Sequence, residues 1–344
     1  MSTQLFDRIA HGLKEQHRNL LGWLNSAGAE DRAIRLGPQP VTELKKHLQV
    51  LETAICCAEE NTLGTCTVCH EPVETHLLET NYTASVCIEH LTGEERNRLE
   101  AELELSQKVQ KGLLPQELPE LPGWELAAFS QPASIVGGDY FDVLRFRDGS
   151  RGLIIADVMG KGLPASLLMA SLQASLRIIL PECDRPEEAL LRLNRIFHHN
   201  INLTKFVSIV IIHLDPATGK VAYANAGHHP PYVVRGPGAE GEILIPLRPT
   251  GAAIGLAEDA TFTGSEAVLG EGDQLVLYTD GFVEAMTDRR EEYGDERFRT
   301  FLLRSRDLTP SNLIRGLRSE IHSFAGGFPP ADDMTILACR RLGR

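Results

Sequence analysis

Leu153-Ile154-Ile155-Ala156-Asp157-Val158-Met159-Gly160-Lys161-Gly162-Leu163-Pro164 reads as an apolar strand that carries a carboxylate to a sheet edge and then turns. Gly160 and Gly162 allow the backbone to close around an ion or phosphate. A helix is predicted from near Pro164, in the favoured first-turn position, to residue 180. The same arrangement recurs along the chain. Gly137-Gly138-Asp139-Tyr140 lies upstream; Tyr278-Thr279-Asp280-Gly281 and Ala331-Asp332-Asp333-Met334-Thr335 lie downstream. Asp280 ends the run Gln274-Leu275-Val276-Leu277-Tyr278-Thr279, and Asp333 precedes Met334-Thr335-Ile336-Leu337-Ala338. Carboxylates at the ends of buried strands repel one another and resist desolvation. Hard divalent cations such as Mg²⁺ or Mn²⁺ neutralise them through oxygen ligands, and the Val158 carbonyl is a further candidate donor. Two such ions about 3.5–4 Å apart activate a water for attack on phosphorus.

Around these segments the pattern is one of strands and turns. Strands are predicted at 125–129, 152–157, 206–214, 220–226, 274–279 and 333–340. Helices are predicted at 164–180, 186–200, 295–304 and 310–324, the last capped by Thr309 with Pro310 behind it. Turn signals such as Asp215-Pro216-Ala217-Thr218-Gly219 favour antiparallel pairing. Strands, helices, strands and helices in that order imply an α+β layered domain over 119–344.

Upstream, Leu5, Ile9, Leu13, Leu20 and Leu24 form one helical stripe. Leu44, Leu48, Leu51 and Ile55 form another after Thr42, a candidate N-cap. Together they suggest a helical hairpin over 1–61, which also suits a small dimerisation unit. Residues 93–118 read as a linker whose charged helix, from Glu94 to Gly112, ends at Leu114-Pro115, with Pro119 and Pro122 marking the boundary. Between them, 62–92 holds Cys66-Thr67-Val68-Cys69 and Cys87-Ile88-Glu89-His90. Two close pairs of thiol and imidazole ligands about 15–20 residues apart suit one tetrahedral, structural Zn²⁺. Chance thiols with a surface histidine are the competing reading, and His70 is a rival donor badly placed beside Cys69. Cys56, Cys57, Cys183 and Cys339 read as packing residues or lack a partner pattern.

The chain has 344 residues, 42% of them hydrophobic, and a formal net charge of −13. That charge disfavours direct binding of nucleic acid. Residues 1–28 are amphipathic and charged rather than a signal sequence. No apolar run approaches the roughly 20 residues of a membrane span, so the expectation is a cytoplasmic protein without membrane association. Seven Cys in such a protein argue against a disulfide framework. No Cys is followed by Arg after five intervening residues, which sets aside a cysteine-phosphatase mechanism.

The segments GGDYFD, ADVMGKGLPASLLMASL, ANAGHHPP, LYTDGFVEA and ADDMTILA resemble the SpoIIE/RsbU branch of the metal-dependent PPM-type Ser/Thr phosphatases. The resemblance covers about 105–340 and includes Gln110-Lys111-Gly112-Leu113-Leu114-Pro115. Met159 departs from it, standing where Ser is more usual. It implies a layered α-β-β-α sandwich of two mainly antiparallel sheets. It also implies in-line hydrolysis of phosphoserine or phosphothreonine by a metal-activated water. Asp157 would bridge two Mn²⁺ or Mg²⁺ ions with the Val158 carbonyl on one, Asp280 and Asp332 would hold the second, and Asp139 would sit beside them. For Asp333, Asp142 and His228, a turn or hydrogen-bonding role competes with ligation. The stretch 62–91 is similar to DksA/TraR-type zinc fingers, which carry Cys where this chain has His90.

The resemblance implies a phosphorylated anti-sigma-factor antagonist as substrate, within partner switching, and a homodimer controlled through the linker helix. Two other readings are a transcription-associated, DksA-like regulator that contacts RNA polymerase, to which Glu30 and Asp31 near the hairpin tip would contribute, and a catalytically silent partner-switching scaffold.

Overall fold

A computed structural model describes residues 13–15, 17–18, 20–22, 41–60, 62–73, 84–200, 206–328 and 330–343. The chain divides into two compact units, Met1–Glu102 and Leu103–Arg344. In the first, residues 13–22 are helical where described, and helix α1 spans Val41–Glu59. Leu48, Leu51, Ala54 and Ala58 recur at helical spacing and are buried; Leu51, Ala54 and Ala58 pack with Leu13 and Leu63. Thr42 lies inside α1 rather than capping it. The predicted hairpin tip, with Glu30 and Asp31, lies outside the described residues.

Helix α2, Gly93–Leu113, opens on a capping box. The Thr92 N–H donates to Glu95 Oε2 at 2.9 Å, and the Glu95 N–H donates to Thr92 Oγ1 at 3.2 Å. None of its residues is buried, as its charged composition predicts.

The second unit contains ten strands: β1 Trp124–Gln131, β2 Tyr140–Arg145, β3 Arg151–Val158, β4 Val207–Leu214, β5 Lys220–Ala226, β6 Tyr232–Val234, β7 Leu244–Pro246, β8 Ser265–Val268, β9 Gln274–Tyr278 and β10 Met334–Arg341. They form two antiparallel sheets, ordered β1-β10-β9-β6-β7 and β2-β3-β4-β5-β8. Helices α3 (Gly162–Ile179) and α4 (Pro186–Asn200) cover the second sheet, and α5 (Gly294–Arg304) and α6 (Pro310–Phe324) cover the first. This is the α+β sandwich anticipated from the pattern.

Strand periodicity explains how three cores coexist. Leu153 and Ile155 point between the sheets, while Ile154, Ala156 and Val158 point to α3 and α4. In the same way Leu275 and Leu277 face the inter-sheet core, while Val276 and Tyr278 face α5 and α6. Strands buried on both faces read as continuous apolar runs. On that alternation Asp157 shares the side of Leu153 and Ile155, so its carboxylate lies between the sheets at their end.

Helix α3 starts two residues earlier than predicted, with Lys161 as N-cap and Pro164 third in the helix. Its continuation to Glu182 is long and apolar enough, by composition, to cross a membrane. The run is broken by Ser and Gln and was not legible as one apolar stretch. In the fold its inner face, with Met169, Leu172 and Leu176, fills the core against the sheet.

Candidate active site

The antiparallel registers bring together four segments far apart in sequence. Asp157, next to last in β3, pairs with Ser208 on β4. Asp280 begins a 3-10 turn two residues beyond β9, and Asp332 and Asp333 immediately precede β10, which pairs with β9. Asp139 immediately precedes β2, whose Tyr140 pairs with Ala156.

The electrostatics follow from this convergence. Burial, then the charges of Asp280, Asp332, Asp333 and Glu284, push the Asp157 carboxyl up to about 7. Burial and the neighbouring Asp157 and Asp333 hold Asp139 well above the carboxylate range. Burial and Asp332 raise Asp280. The donors are all carboxylate or carbonyl oxygens, which suits Mg²⁺ or Mn²⁺.

Several neighbours hold these groups in place. Thr279 Oγ1 donates to Asp139 Oδ2 at 2.8 Å and accepts the Thr335 N–H at 3.0 Å. Asp333 accepts the Ala133 N–H on Oδ1 at 2.7 Å and the Gly138 N–H on Oδ2 at 2.6 Å. Its two oxygens anchor the loop that leads into Asp139. A Cβ on Gly138 would lie 2.7 Å from the Val158 carbonyl oxygen, so only glycine lets that carbonyl approach the loop. Gly160 and Gly162 have φ of 109° and 70°, the left-handed turn their sequence suggested.

His228 is fully enclosed, and burial pushes it down to about 3, so it is neutral. Its Nε2 faces the Tyr278 carbonyl at 3.1 Å and therefore carries the proton; Nδ1 accepts from Ser208 Oγ at 2.7 Å. His228 thus ties the residue opposite Asp157 to the strand that delivers Asp280. Asp142 accepts from Tyr140 Oη at 2.8 Å and pairs with Arg177 at 3.2 Å. Both residues take hydrogen-bonding roles.

Two site residues were not foreseen. Glu284 follows Asp280 by one helical turn, and burial, Asp280 and Asp332 raise its carboxyl; the Asp-x-x-x-Glu spacing was its only signal. Lys161 Nζ lies 2.8 Å from Asp332 Oδ2 and 2.5 Å from the Ala331 carbonyl, which sets a cation directly on the cluster.

In the first unit, Cys66, Cys69, Cys87 and His90 place their ligand atoms within 4.8 Å of one another. Cys69 and Cys87 Sγ are 3.9 Å apart, and His90 Nδ1 is 2.9 Å from Cys87 Sγ and 3.7 Å from Cys66 Sγ. A tetrahedron with Zn–S near 2.3 Å has S···S edges of about 3.8 Å. His90 completes the group and His70 is outside it. Among the described residues no other set draws three ligand atoms so close; the carboxylates stand further apart.

Comparison with known proteins agrees with this architecture. The family described as Stage II sporulation protein E (SpoIIE) matches residues 147–342. Protein IcfG of Synechocystis is 26% identical over 71% of this chain and 42% of its own length. The phosphoserine phosphatase RsbU of Bacillus subtilis is 27% identical over 56% of each chain. The chain thus spans about half the length of these curated relatives. The PP2C domain of SiaA from Pseudomonas aeruginosa shares the fold, with a TM-score of 0.63 at 21% identity, over 71% of this chain and 98% of that one. The RsbU and RsbW domains of a Mycobacterium tuberculosis protein align with a TM-score of 0.55 at 28% identity, over 67% and 63% of the two chains.

Proposed function

The chain belongs to the Stage II sporulation protein E (SpoIIE) family, and from that premise we propose that it is a metal-dependent protein-serine/threonine phosphatase. Its substrate would be a phosphorylated anti-sigma-factor antagonist in a partner-switching pathway, as the RsbU likeness suggests. The observation that carries this reading is the convergence of Asp139, Asp157, Asp280 and Asp332 between the sheet ends, with Asp157 raised by its neighbours. Two Mn²⁺ or Mg²⁺ ions bound there would supply Lewis-acid charge for the phosphoryl oxygens and an acidified water. Asp157, Asp280 and Asp332, with the Val158 carbonyl, would hold them. Asp139 and Asp333 would line the remaining face, Asp333 with its oxygens already engaged by backbone N–H groups. Lys161, half-exposed at the mouth, would meet the incoming phosphate monoester. Phosphate release from a panel of phosphorylated antagonist proteins, with and without Mn²⁺, tests the reading. Turnover is expected only with the metal, and release unchanged by chelation would overturn it.

The four-part division at 61, 92 and 118 serves this activity: a hairpin, a finger holding one structural Zn²⁺, a linker helix and the phosphatase domain. Localisation is cytoplasmic, with no membrane or nucleic-acid partner. The linker helix is proposed to control the site and to form a homodimer. Gln110 supports the first point: its Nε2 donates to the Gly137 carbonyl at 2.5 Å and its Oε1 accepts the Gly137 N–H at 3.0 Å. That two-bond clamp seizes the backbone two residues before Asp139. Gln173 on α3 donates to the Leu113 carbonyl at 3.2 Å, so the end of α2 also grips the helix that follows Asp157. Leu105 and Val109 support the second point, being 62% and 57% exposed one turn apart. Gln110→Ala is expected to raise the Mn²⁺ concentration for half-maximal turnover about tenfold while leaving the circular dichroism spectrum unchanged. An unaltered metal titration would make the clamp incidental.

A further inference from the structure

A groove of about 360 Å³ runs beside the carboxylate centre, between α6 and the end of β10. Its floor is apolar, with Phe129, Met286 and Met334, and Phe328 stands on its rim, 55% exposed. Met334 directly follows Asp333, and Met286 lies two residues beyond Glu284, so two of the groove's lining residues belong to the segments that carry the carboxylates. Arg315 and Arg318 line it one helical turn apart. Arg318 lies over the Phe129 ring at 3.7 Å. Among the described residues Arg315 donates to the Asn312 amide oxygen, at 2.9 Å. Neither arginine forms an ion pair among the described residues, and no Asp or Glu lines the groove. In a chain of net charge −13, two guanidinium groups without an ion pair among the described residues flank an apolar trough.

We propose that this groove docks a segment of the phosphoprotein substrate that carries an apolar side chain flanked by acidic residues. The apolar side chain would fill the trough between Phe129 and Phe328, and the carboxylates would pair with Arg315 and Arg318, whose forked donors suit them. The phosphorylated residue is thereby led to the adjacent carboxylate centre. This inference rests on the phosphatase reading and adds how the enzyme selects a protein over a small ester.

The test uses the full chain and synthetic phosphoserine dodecapeptides with Glu-Leu-Glu on either side of the phosphoserine, their Lys-Leu-Lys counterparts, and p-nitrophenyl phosphate. The Arg315→Ala/Arg318→Ala variant is expected to raise KM for one acidic peptide about tenfold, with kcat unchanged and kcat/KM for p-nitrophenyl phosphate within about twofold. Arg318→Lys should recover part of the loss, and the basic peptides should show no response. Fluorescence anisotropy of the labelled acidic peptide reports docking without turnover. Binding to the wild type that the double variant loses supports the groove even if no ester is hydrolysed, a result that would fail the phosphatase reading alone. Equal loss on peptide and small ester, or peptide binding unchanged in the variant, overturns the proposal. So does a shift of the variant to a smaller sedimenting species, which would assign the groove to a second copy of this chain.

Discussion

Asp157→Asn is expected to lower phosphatase turnover on the order of 10³-fold or more and, at the same time, to stabilise the metal-free protein. The first effect follows from the central place of this carboxylate among Asp139, Asp280 and Asp332. The second follows from its electrostatics. Its carboxyl is raised to about 7 by burial and by neighbouring charges, so the fold disfavours the ionised form. With the folded value above the unfolded one, this group's contribution to the stability of the metal-free chain is fully present below about pH 4 and is lost as pH rises toward 7. Asparagine removes the part of the pH dependence that belongs to this carboxyl. The gain at neutral pH is roughly 2 kcal/mol, or a Tm rise of about 5 °C in the presence of chelator. Calorimetry of both proteins between pH 4 and 8 measures it. A variant that loses turnover and also loses stability across this range would show that Asp157 is structural and not a strained ligand.

Removing zinc is expected to unfold one part of the chain and spare the other. Purified protein should carry about one Zn per chain. Cys66 and Cys87 are buried, and with Cys69, Val73, Val86 and Leu99 they make up a core too small to hold the finger by apolar contact alone. Metal binding at a site of this kind contributes about 10–16 kcal/mol to folding. Cys66→Ser should therefore abolish zinc and expose amides 62–92 to rapid hydrogen exchange. Protection in β3, β4, β9 and β10, whose cores are independent of the finger, should be unchanged. Elemental analysis and exchange mass spectrometry read both halves of the expectation. Freshly purified protein free of zinc, with 62–92 still protected, would mean that the thiols pack without a metal.

Much of the sandwich was legible because β3, β4, β9 and β10 are buried on both faces and so appear as uninterrupted apolar runs. Strands β6 and β7, three residues each, are too short to show a period. Strand β2 was missed because Asp142 and Arg145 break its alternation; Asp142 is buried there only because Arg177 and Tyr140 satisfy it. The carboxylates at 139, 157, 280 and 332 were visible as motifs. Glu284 and Lys161 were hidden, since a lone acid or a lone lysine in a turn is ordinarily solvated.

The sequence by itself determined which residues stop at a strand end with a carboxylate, where the turns take glycine, and which thiols come in ligand-spaced pairs. These are local matters of backbone freedom, periodicity and spacing. Tertiary structure alone decided that Asp157 stands opposite Ser208, that His228 joins that strand to Tyr278, that Asp333 anchors the Asp139 loop, and that Gln110 grips Gly137. Each of these depends on antiparallel register or on close approach between segments tens to hundreds of residues apart. That register is fixed by the packing of Leu153, Ile155, Leu277 and Leu337 between the sheets, because a slip of one residue would turn those side chains, and the carboxylates with them, to the opposite face.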